Sequence, residues 1–337
     1  MNATTINAPT VHKNPTSENA LPEMHATTMH ATMHTLPAVD GHQICFKRWL
    51  HNHDQPRAII HIVHGLAEHI HRYDPLAQML VKQGFVVYAH NQRGHGETCP
   101  PAQLGHYADV GGWNLLLSDI AVLQREFKRQ FPDIPLIIFG HSMGSFVTTS
   151  YLQQTAVAVD GAILSGSSYQ TPLLYQATLP LLKLERLRVG PRGRSKFIDY
   201  LIIGRYNDNF KPSRTPSDWL SRNPVEVDKY IRDPLCGFIS TTQLWIDLFN
   251  ALNTMSKPAN LQKIPRSLPI FILGGAEDPN GGQKGMSALA AKLKQAKIND
   301  VECRIYPGGR HEMLNETNRT EVLDDILTWL NHHFKNV

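Results

Sequence analysis

Short apolar runs and longer amphipathic stretches alternate along most of this chain. The short runs predict strands over residues 43–50, 58–63, 85–89, 136–139, 159–164, 269–273 and 301–306. The amphipathic stretches, which are apolar at every third or fourth position, predict helices over residues 74–83, 113–131, 145–154 and 320–334. Since strands and helices alternate, the pattern predicts an α/β fold with a mostly parallel central sheet and helices on both faces.

One long segment breaks this alternation. Residues 166–261 contain several prolines, a basic run and short helical patterns, without a convincing apolar strand. An insertion of this size after a core strand is typical of a helical cap over the carboxyl edge of the sheet, where α/β proteins bind their ligands. The sequence therefore predicts a core over residues 38–165 and 262–337, with a cap or lid over residues 166–261.

The first 37 residues have a different composition. They are rich in Thr, Asn, Pro and His and have few large apolar side chains. Because such a segment buries too little apolar surface to offset the loss of chain entropy, residues 1–37 are predicted to be a disordered tail. Met-His pairs begin at residues 24, 29 and 33, and both side chains are copper ligands, but a solvated low-complexity tail is the favoured interpretation.

Composition narrows the class of protein. Of 337 residues, 42% are hydrophobic and 18% are charged, which is enough apolar material for one large core. The net charge of +4 is not concentrated in a Lys/Arg block of the kind that binds nucleic acid, so no nucleic-acid partner is expected. The four cysteines lack metal-ligand spacing, which predicts free thiols in a reducing compartment.

Targeting signals point the same way. No stretch reaches the roughly 20 consecutive apolar residues that span a bilayer. The N-terminus lacks the basic and apolar regions of a secretory signal. A cytoplasmic protein is therefore expected, with peripheral membrane contact as a further possibility.

A candidate nucleophile lies between the predicted strand 136–139 and the helix 145–154, in the run G-H-S-M-G at residues 140–144. On a sharp strand-to-helix turn, small neighbours let the strand and the helix approach, and the strained serine projects from the carboxyl edge of the sheet. The pattern alone is weak, but its placement is typical of an α/β-hydrolase. The nucleophile is predicted to be Ser142, and its elbow is formed by Gly140, His141 and Gly144.

The loop after the strand 58–63 begins with His64, Gly65 and Leu66. In the α/β-hydrolase fold, this loop supplies one backbone N–H of the oxyanion hole, and the residue after the nucleophile supplies the other. The two donors are therefore assigned to the backbone N–H groups of Leu66 and Met143. His64 and Gly65 are predicted to support the loop.

A serine hydroxyl needs a general base, and the base needs an orienting acid; in this fold they follow the serine in the order acid, then histidine. Strand 269–273 runs into a loop that contains both Glu277 and Asp278. Strand 301–306 runs into a loop that contains His311, which its position distinguishes from the other histidines. The predicted triad is Ser142, Asp278 and His311, with Glu277 as the rival acid.

These loops also resemble a known family. The run H-G-L-A-E-H at residues 64–69, followed by Arg72 and Tyr73, resembles the H-G-x-x-E-H-x-x-R-Y run of the monoacylglycerol lipase and lysophospholipase family (serine aminopeptidase S33-like, Hydrolase_4). The other matching runs are R-G-H-G at residues 93–96, G-H-S-M-G at 140–144, E-D at 277–278 and R-H-E at 310–312. The resemblance covers residues 36–334, and the chain departs from it at Asn91, where an Asp is usual.

This resemblance implies an α/β-hydrolase with a cap and a Ser-Asp-His triad that cleaves single-chain acyl esters, carried over to Ser142, Asp278 and His311. The expected activity is hydrolysis of monoacylglycerol or lysophospholipid through an acyl-enzyme, without a metal or an organic cofactor. A thioesterase or another small-ester carboxylesterase of the same fold is the alternative. A non-catalytic ligand-binding module is disfavoured because all members of the triad are present.

The predicted cap carries a basic run beside an apolar cluster. The cations are Lys183, Arg186, Arg188, Arg192, Arg194 and Lys196, against Glu185 alone. The cluster consists of Leu173, Leu174, Leu179, Leu181 and Leu182. Two interpretations stay open: the cap rests on an anionic membrane and draws a single-chain lipid from it, or the leucines pack inside the cap and the cations are solvated.

Overall fold

We analysed a computed structural model that describes residues 29–51, 55–154 and 159–335. Its strands are β1 (Met29–Pro37), β2 (Gln43–His51), β3 (Ile59–Val63), β4 (Val86–His90), β5 (Leu136–His141), β6 (Gly161–Ser165), β7 (Ile270–Gly275) and β8 (Val301–Tyr306). They form one sheet in the order β1-β2-β4-β3-β5-β6-β7-β8. The pairs β1–β2 and β2–β4 are antiparallel, and every later pair is parallel. The expected α/β-hydrolase architecture is confirmed.

Helices cover both faces of this sheet. They are α1 (Asp74–Lys82), α2 (Gly112–Gln130), α3 (Met143–Leu152), α4 (Pro172–Val189), α5 (Lys196–Ile202), α6 (Pro224–Arg232), α7 (Thr242–Met255), α8 (Pro258–Leu261), α9 (Gly282–Gln295) and α10 (Arg319–His333). One apolar cluster joins α1 and α10 to the sheet, and another joins α2, α3 and α9 to its opposite face. Within the described ranges, no helix combines the length and apolarity needed to cross a bilayer.

The N-terminal segment differs from the sequence-based expectation. Part of the segment predicted to be a disordered tail, residues 29–37, is strand β1, which pairs with β2 along its whole length. Its side chains are mostly exposed because it lies at the edge of the sheet, so composition alone does not reveal it. Main-chain hydrogen bonds to β2 and the stacking of His34 on Phe46, with ring centroids 5.2 Å apart, hold it in place. Residues 1–28, with the first Met-His pair, lie outside the described residues.

The segment between β6 and β7 is largely helical and contains α4 to α8. Two of its helices, α4 and α7, pack against each other, and Leu179 and Leu182 of α4 are buried. These two leucines therefore pack inside the segment, as the second interpretation of the leucine cluster predicts. Leu173, Leu174 and Leu181 are exposed.

Candidate active site

The parallel strands end at one edge of the sheet and bring four loops together there. Val63 of β3 lies opposite Gly140 of β5, so the loop that begins at His64 runs beside Ser142. The loop after β7 and the loop after β8 are joined by the Glu277 backbone N–H, which donates to the Gly309 carbonyl (3.0 Å). Sheet register thus brings together segments that are far apart in the sequence.

Ser142 lies on a sharp turn between β5 and α3. Its φ of 52° and ψ of −123° are outside the regions that L-residues ordinarily occupy. The flanking glycines are required by close contacts. A Cβ at Gly144 would overlap the backbone carbonyls of Val63 and His64, and one at Gly140 would lie 2.6 Å from the Gly144 carbonyl oxygen. The G-x-S-x-G pattern is therefore explained by packing on both sides of the turn.

The side chains of Ser142, His311 and Asp278 form a continuous hydrogen-bonded chain. The Nε2 atom of His311 lies 2.8 Å from the Ser142 Oγ, and its Nδ1 lies 2.9 Å from both carboxylate oxygens of Asp278. His311 and Asp278 are buried, and Ser142 is half-buried at the wall of a cavity. The Asn280 backbone N–H donates to Asp278 Oδ1 (2.8 Å) and fixes the carboxylate. This arrangement can transfer the serine proton to the imidazole.

Glu277, the rival acid, is exposed, whereas its neighbour Asp278 faces His311. The Glu277 backbone tethers the loop to Gly309, whereas the Asp278 carboxylate is hydrogen-bonded to the His311 ring. Adjacent residues on an irregular loop point in different directions, and sequence alone does not settle which of them faces the histidine.

The electrostatic surroundings of His311 raise its pKa above its ordinary value. Burial is the largest single influence and lowers the pKa, since it penalises the imidazolium. The charge and the hydrogen bond of the Asp278 carboxylate, with smaller contributions from Glu312 and Glu68, together raise the pKa by more. The neighbouring His141 has the opposite shift: burial lowers its pKa. The two rings lie 5.1 Å apart, and the shifts favour the proton on His311.

The loop after β3 approaches the elbow closely at Gly65. A Cβ there would lie 2.8 Å from Glu68 Oε1 and 3.2 Å from the Ser142 Cβ, so a larger residue would displace one of these side chains. Leu66 and Met143, predicted to provide the oxyanion N–H groups, line the same cavity as Ser142 and His311. His64 is buried, and its Nε2 accepts from the Gln92 backbone N–H (3.0 Å). Its Nδ1 lies 2.7 Å from the Gly65 carbonyl oxygen, which places the proton on Nδ1 and holds the turn.

A buried ionic network lies beneath this loop. Glu68 accepts from the Gly65 backbone N–H (2.5 Å) and pairs with Arg72 (2.7 Å). Arg72 makes a second, bidentate pair with Glu312, the residue after His311. The network therefore connects the oxyanion loop to the loop of the histidine. The spacing of Glu68 and Arg72 is visible in the sequence, but their connection to Glu312 is not.

The remaining motif residues have structural partners. His141 Nδ1 lies 3.1 Å from the Ser165 hydroxyl, beside the elbow as predicted. Asn91, at the position where the sequence departs from the related family, accepts from the Ile70 backbone N–H (3.1 Å) and donates to Glu97 (2.7 Å). It therefore fills a structural position, and the substitution does not touch the triad.

Among the described residues, two groups of side chains have the composition of a metal site: His69 with Asp233 and Cys236, and Asp300 with Glu302 and His333. In the first, the imidazole is already hydrogen-bonded to the Asp233 carboxylate (2.8 Å) and its Nδ1 accepts from the His71 backbone N–H (3.3 Å). The second lies at the surface, with Glu302 exposed. None of these side chains lines the cavity that contains Ser142.

The cavity above Ser142 has a volume of about 550 Å³ and opens between the sheet edge and the α4–α8 segment. Glu68, His141 and His311 are among the polar groups at its floor. Apolar side chains from the α4–α8 segment line much of its wall: Leu174, Leu181, Leu182, Ile198, Ile202, Leu248 and Phe249. A chamber of this volume with an apolar wall above a candidate nucleophile can hold an acyl chain.

Comparison with known proteins gives a consistent result. The Hydrolase_4 family, described as serine aminopeptidase S33, matches residues 54–318. Monoglyceride lipase of Rattus norvegicus is 28% identical over 297 residues, covering 87% of this chain and 88% of that one. Monoacylglycerol lipase of Mycolicibacterium smegmatis is 25% identical, covering 89% and 97%. A thermostable carboxyl esterase of Bacillus coagulans, solved in complex with glycerol, is 28% identical with a TM-score of 0.82, covering 91% of this chain and all of that one.

Proposed function

Since this chain belongs to the Hydrolase_4 family and is a serine ester hydrolase, we propose that it cleaves carboxylic esters of single-chain lipids, monoacylglycerol or lysophospholipid, through an acyl-enzyme on Ser142. The observation that carries the proposal is the hydrogen-bonded chain Ser142–His311–Asp278 at the floor of an apolar cavity.

In the acylation step, His311 Nε2 takes the Ser142 proton as Oγ attacks the ester carbonyl. Asp278 stabilises the imidazolium through its hydrogen bond to Nδ1, and the backbone N–H groups of Leu66 and Met143 bind the oxyanion. The tetrahedral intermediate collapses with departure of the alcohol, which receives the proton from His311. A water molecule then attacks the acyl-enzyme with the same histidine as base, and the fatty acid leaves.

The substrate class rests on the cavity and on the relatives. The chamber is lined by leucine, isoleucine and phenylalanine side chains, which favour an acyl chain over a peptide. Proteins named monoglyceride lipase in rat and mouse align over 87% of this chain. A chain buried in the chamber would leave a polar head group near Glu68 and His141 at the floor.

We further propose that residues 166–261 are a cap that docks on lipid surfaces. Leu184 and Leu187, one turn apart on α4, and Phe197 of α5 are 65%, 82% and 52% exposed, and exposed apolar side chains of this size can mark an interaction surface. Of the cations, Arg188 and Arg192 are engaged by Glu185 and Asp109. The exposed side chains of Leu184, Leu187 and Phe197 therefore make more of the proposed membrane contact than the basic run does.

The substrate proposal is tested by a hydrolysis panel of monoacylglycerols, lysophospholipids, short p-nitrophenyl esters and acyl-CoA thioesters. We expect the highest kcat/KM on a single-chain oxygen ester with a long acyl chain. A preference for acyl-CoA would indicate a thioesterase, and a preference for acetate or butyrate esters would indicate a small-ester carboxylesterase.

The membrane proposal is tested by vesicle flotation with anionic and neutral lipid. Replacing Leu184 and Leu187 with glutamine should reduce the bound fraction several-fold, since each buried leucine contributes about 1.5–3 kcal/mol. Val39→Gln, at an exposed apolar residue outside the cap, is the matched control and should bind as the unaltered protein does. Equal binding by all three proteins would contradict the proposal.

A further inference from the structure

A tryptophan from the α4–α8 segment lies against the ring of the triad histidine. The Trp219 ring centroid is 5.0 Å from that of His311, at an interplanar angle of 42°. Trp219 is 8% exposed and lies between His311 and Tyr206, whose ring centroid is 5.1 Å from its own. The imidazole is thus enclosed by Trp219 and by His141.

Several backbone contacts fix Trp219 in this position. Its backbone N–H donates to Asn207 Oδ1 (3.0 Å). On either side of it, the Asp218 and Ser221 carbonyls accept from the Arg310 guanidinium, and the Leu220 carbonyl accepts from the Glu312 backbone N–H (2.8 Å). The segment that carries the indole is therefore tied to the residues on both sides of His311.

Resting on the proposed function, we infer that Trp219 is a positioning residue: its indole face holds the His311 ring in line with Ser142 and stabilises the imidazolium that forms when the serine proton is transferred. A cation within about 6 Å of an aromatic centroid is attracted by the ring quadrupole, and indole gives the strongest attraction.

The charged and titratable groups around His311 come from several elements. Asp278 from the loop after β7 contacts Nδ1, Glu68 from the loop after β3 and Glu312 from its own loop act at longer range, and His141 lies beside it. Arg72 pairs with both glutamates. None of these groups is changed by replacing Trp219, so the effect of the indole can be measured separately.

Replacing the indole by an alkyl side chain should lower the pKa of His311. Trp219→Leu keeps the position apolar and removes the aromatic face, so the acidic limb of kcat/KM should move down by about half a pH unit and kcat should fall about tenfold. Trp219→Phe keeps an aromatic face, so its kcat and the acidic limb of its kcat/KM profile should stay close to those of the unaltered protein. Trp113, which is also 8% exposed and does not line the cavity, provides a matched control in Trp113→Leu.

The kinetics are measured with p-nitrophenyl acetate, whose short acyl group does not fill the chamber, so loss of the cavity wall has little effect on it. Histidine NMR titration gives the pKa of His311 independently of turnover, with the resonance assigned by its loss in His311→Gln. A lower pKa in Trp219→Leu, but not in Trp219→Phe or Trp113→Leu, supports the inference. An unchanged pKa in Trp219→Leu, or equal shifts in all three variants, overturns it. Absence of esterase activity in the unaltered protein would instead overturn the proposed function.

Discussion

At the scale of single residues, strand ends located the three predicted triad residues, and the structure brings their side chains into one hydrogen-bonded chain. Ser142 follows β5, Asp278 follows β7 and His311 follows β8, and parallel strands bring their carboxyl ends to one edge. The network of Glu68, Arg72 and Glu312 could not be predicted in the same way, because 240 residues separate Arg72 from Glu312 and neither lies on a periodic pattern.

Trp219 was missed for a related reason. It lies in the helical insertion, where the sequence contains no strand end to locate it, and its contact with His311 depends on how the insertion folds back on the sheet. The residues on either side of Trp219 in the sequence form no motif that indicates an active-site role.

The choice between the adjacent carboxylates is testable. Asp278→Asn should lower kcat by orders of magnitude, because the amide favours the wrong tautomer of His311 and does not stabilise the imidazolium. Glu277→Gln should leave kcat nearly unchanged, because its side chain is exposed. Steady-state kinetics on one ester would compare the two. A larger loss in Glu277→Gln would show that the acid is misassigned.

At the scale of elements, apolar periodicity located seven of the eight described strands and four core helices to within two residues, but it missed helix α9. The strand predicted at 301–306 is observed at Val301–Tyr306, and the helix predicted at 320–334 is observed at Arg319–His333. Strand β1 was missed because an edge strand needs no apolar side chains when the backbone supplies its pairing. The helices between β6 and β7 were indicated only as a class, since no repeating pattern fixes their order.

Strand β1 leads to a prediction about truncation. A chain that begins at residue 38 should melt several degrees below one that begins at residue 29, because it loses the main-chain pairing with β2 and the contact of His34 with Phe46. Both proteins lack residues 1–28, so the difference in melting temperature measures β1 alone. Equal melting temperatures would mean that β1 contributes nothing to stability.

At the scale of the whole molecule, the core contains an unusual number of buried histidines. Burial lowers the pKa of His61 and His95 to about 3 and that of His64 to about 4, and it lowers that of His90 as well. The rings of His61 and His90 are joined by a hydrogen bond of 2.9 Å. These histidines are therefore neutral in the folded protein.

Acid should therefore destabilise the fold. Below pH 6.5 the unfolded chain takes up protons that the folded chain excludes, so each such histidine removes about 1.4 kcal/mol of unfolding free energy per pH unit until its folded pKa is reached. Burial raises the pKa of Asp247 to about 6, which acts in the opposite direction below that pH, and the pKa values of Asp119, Asp199 and His311 are raised as well. The histidines with a lowered pKa outnumber these groups, since they also include His34, His42, His106 and His141. Urea denaturation at pH 7.5, 6 and 5 would measure the net decline.

The matched variant for this prediction is His61→Gln, which keeps hydrogen-bonding capacity beside His90 and Gln124 but does not titrate. Its unfolding free energy should decline less steeply with falling pH than that of the unaltered protein. A stability that stays flat between pH 7.5 and 5, or an identical slope in both proteins, would contradict the assignment of neutral buried histidines.

The central claim is that an acyl-enzyme forms on Ser142, and covalent labelling with a fluorophosphonate, mapped by peptide mass spectrometry, tests it most directly. We expect one labelled serine, Ser142, in the unaltered protein, and loss of both labelling and ester hydrolysis in Ser142→Ala, because this hydroxyl is hydrogen-bonded to His311 at 2.8 Å. Labelling of a different serine, or hydrolysis that persists in Ser142→Ala, would contradict the account.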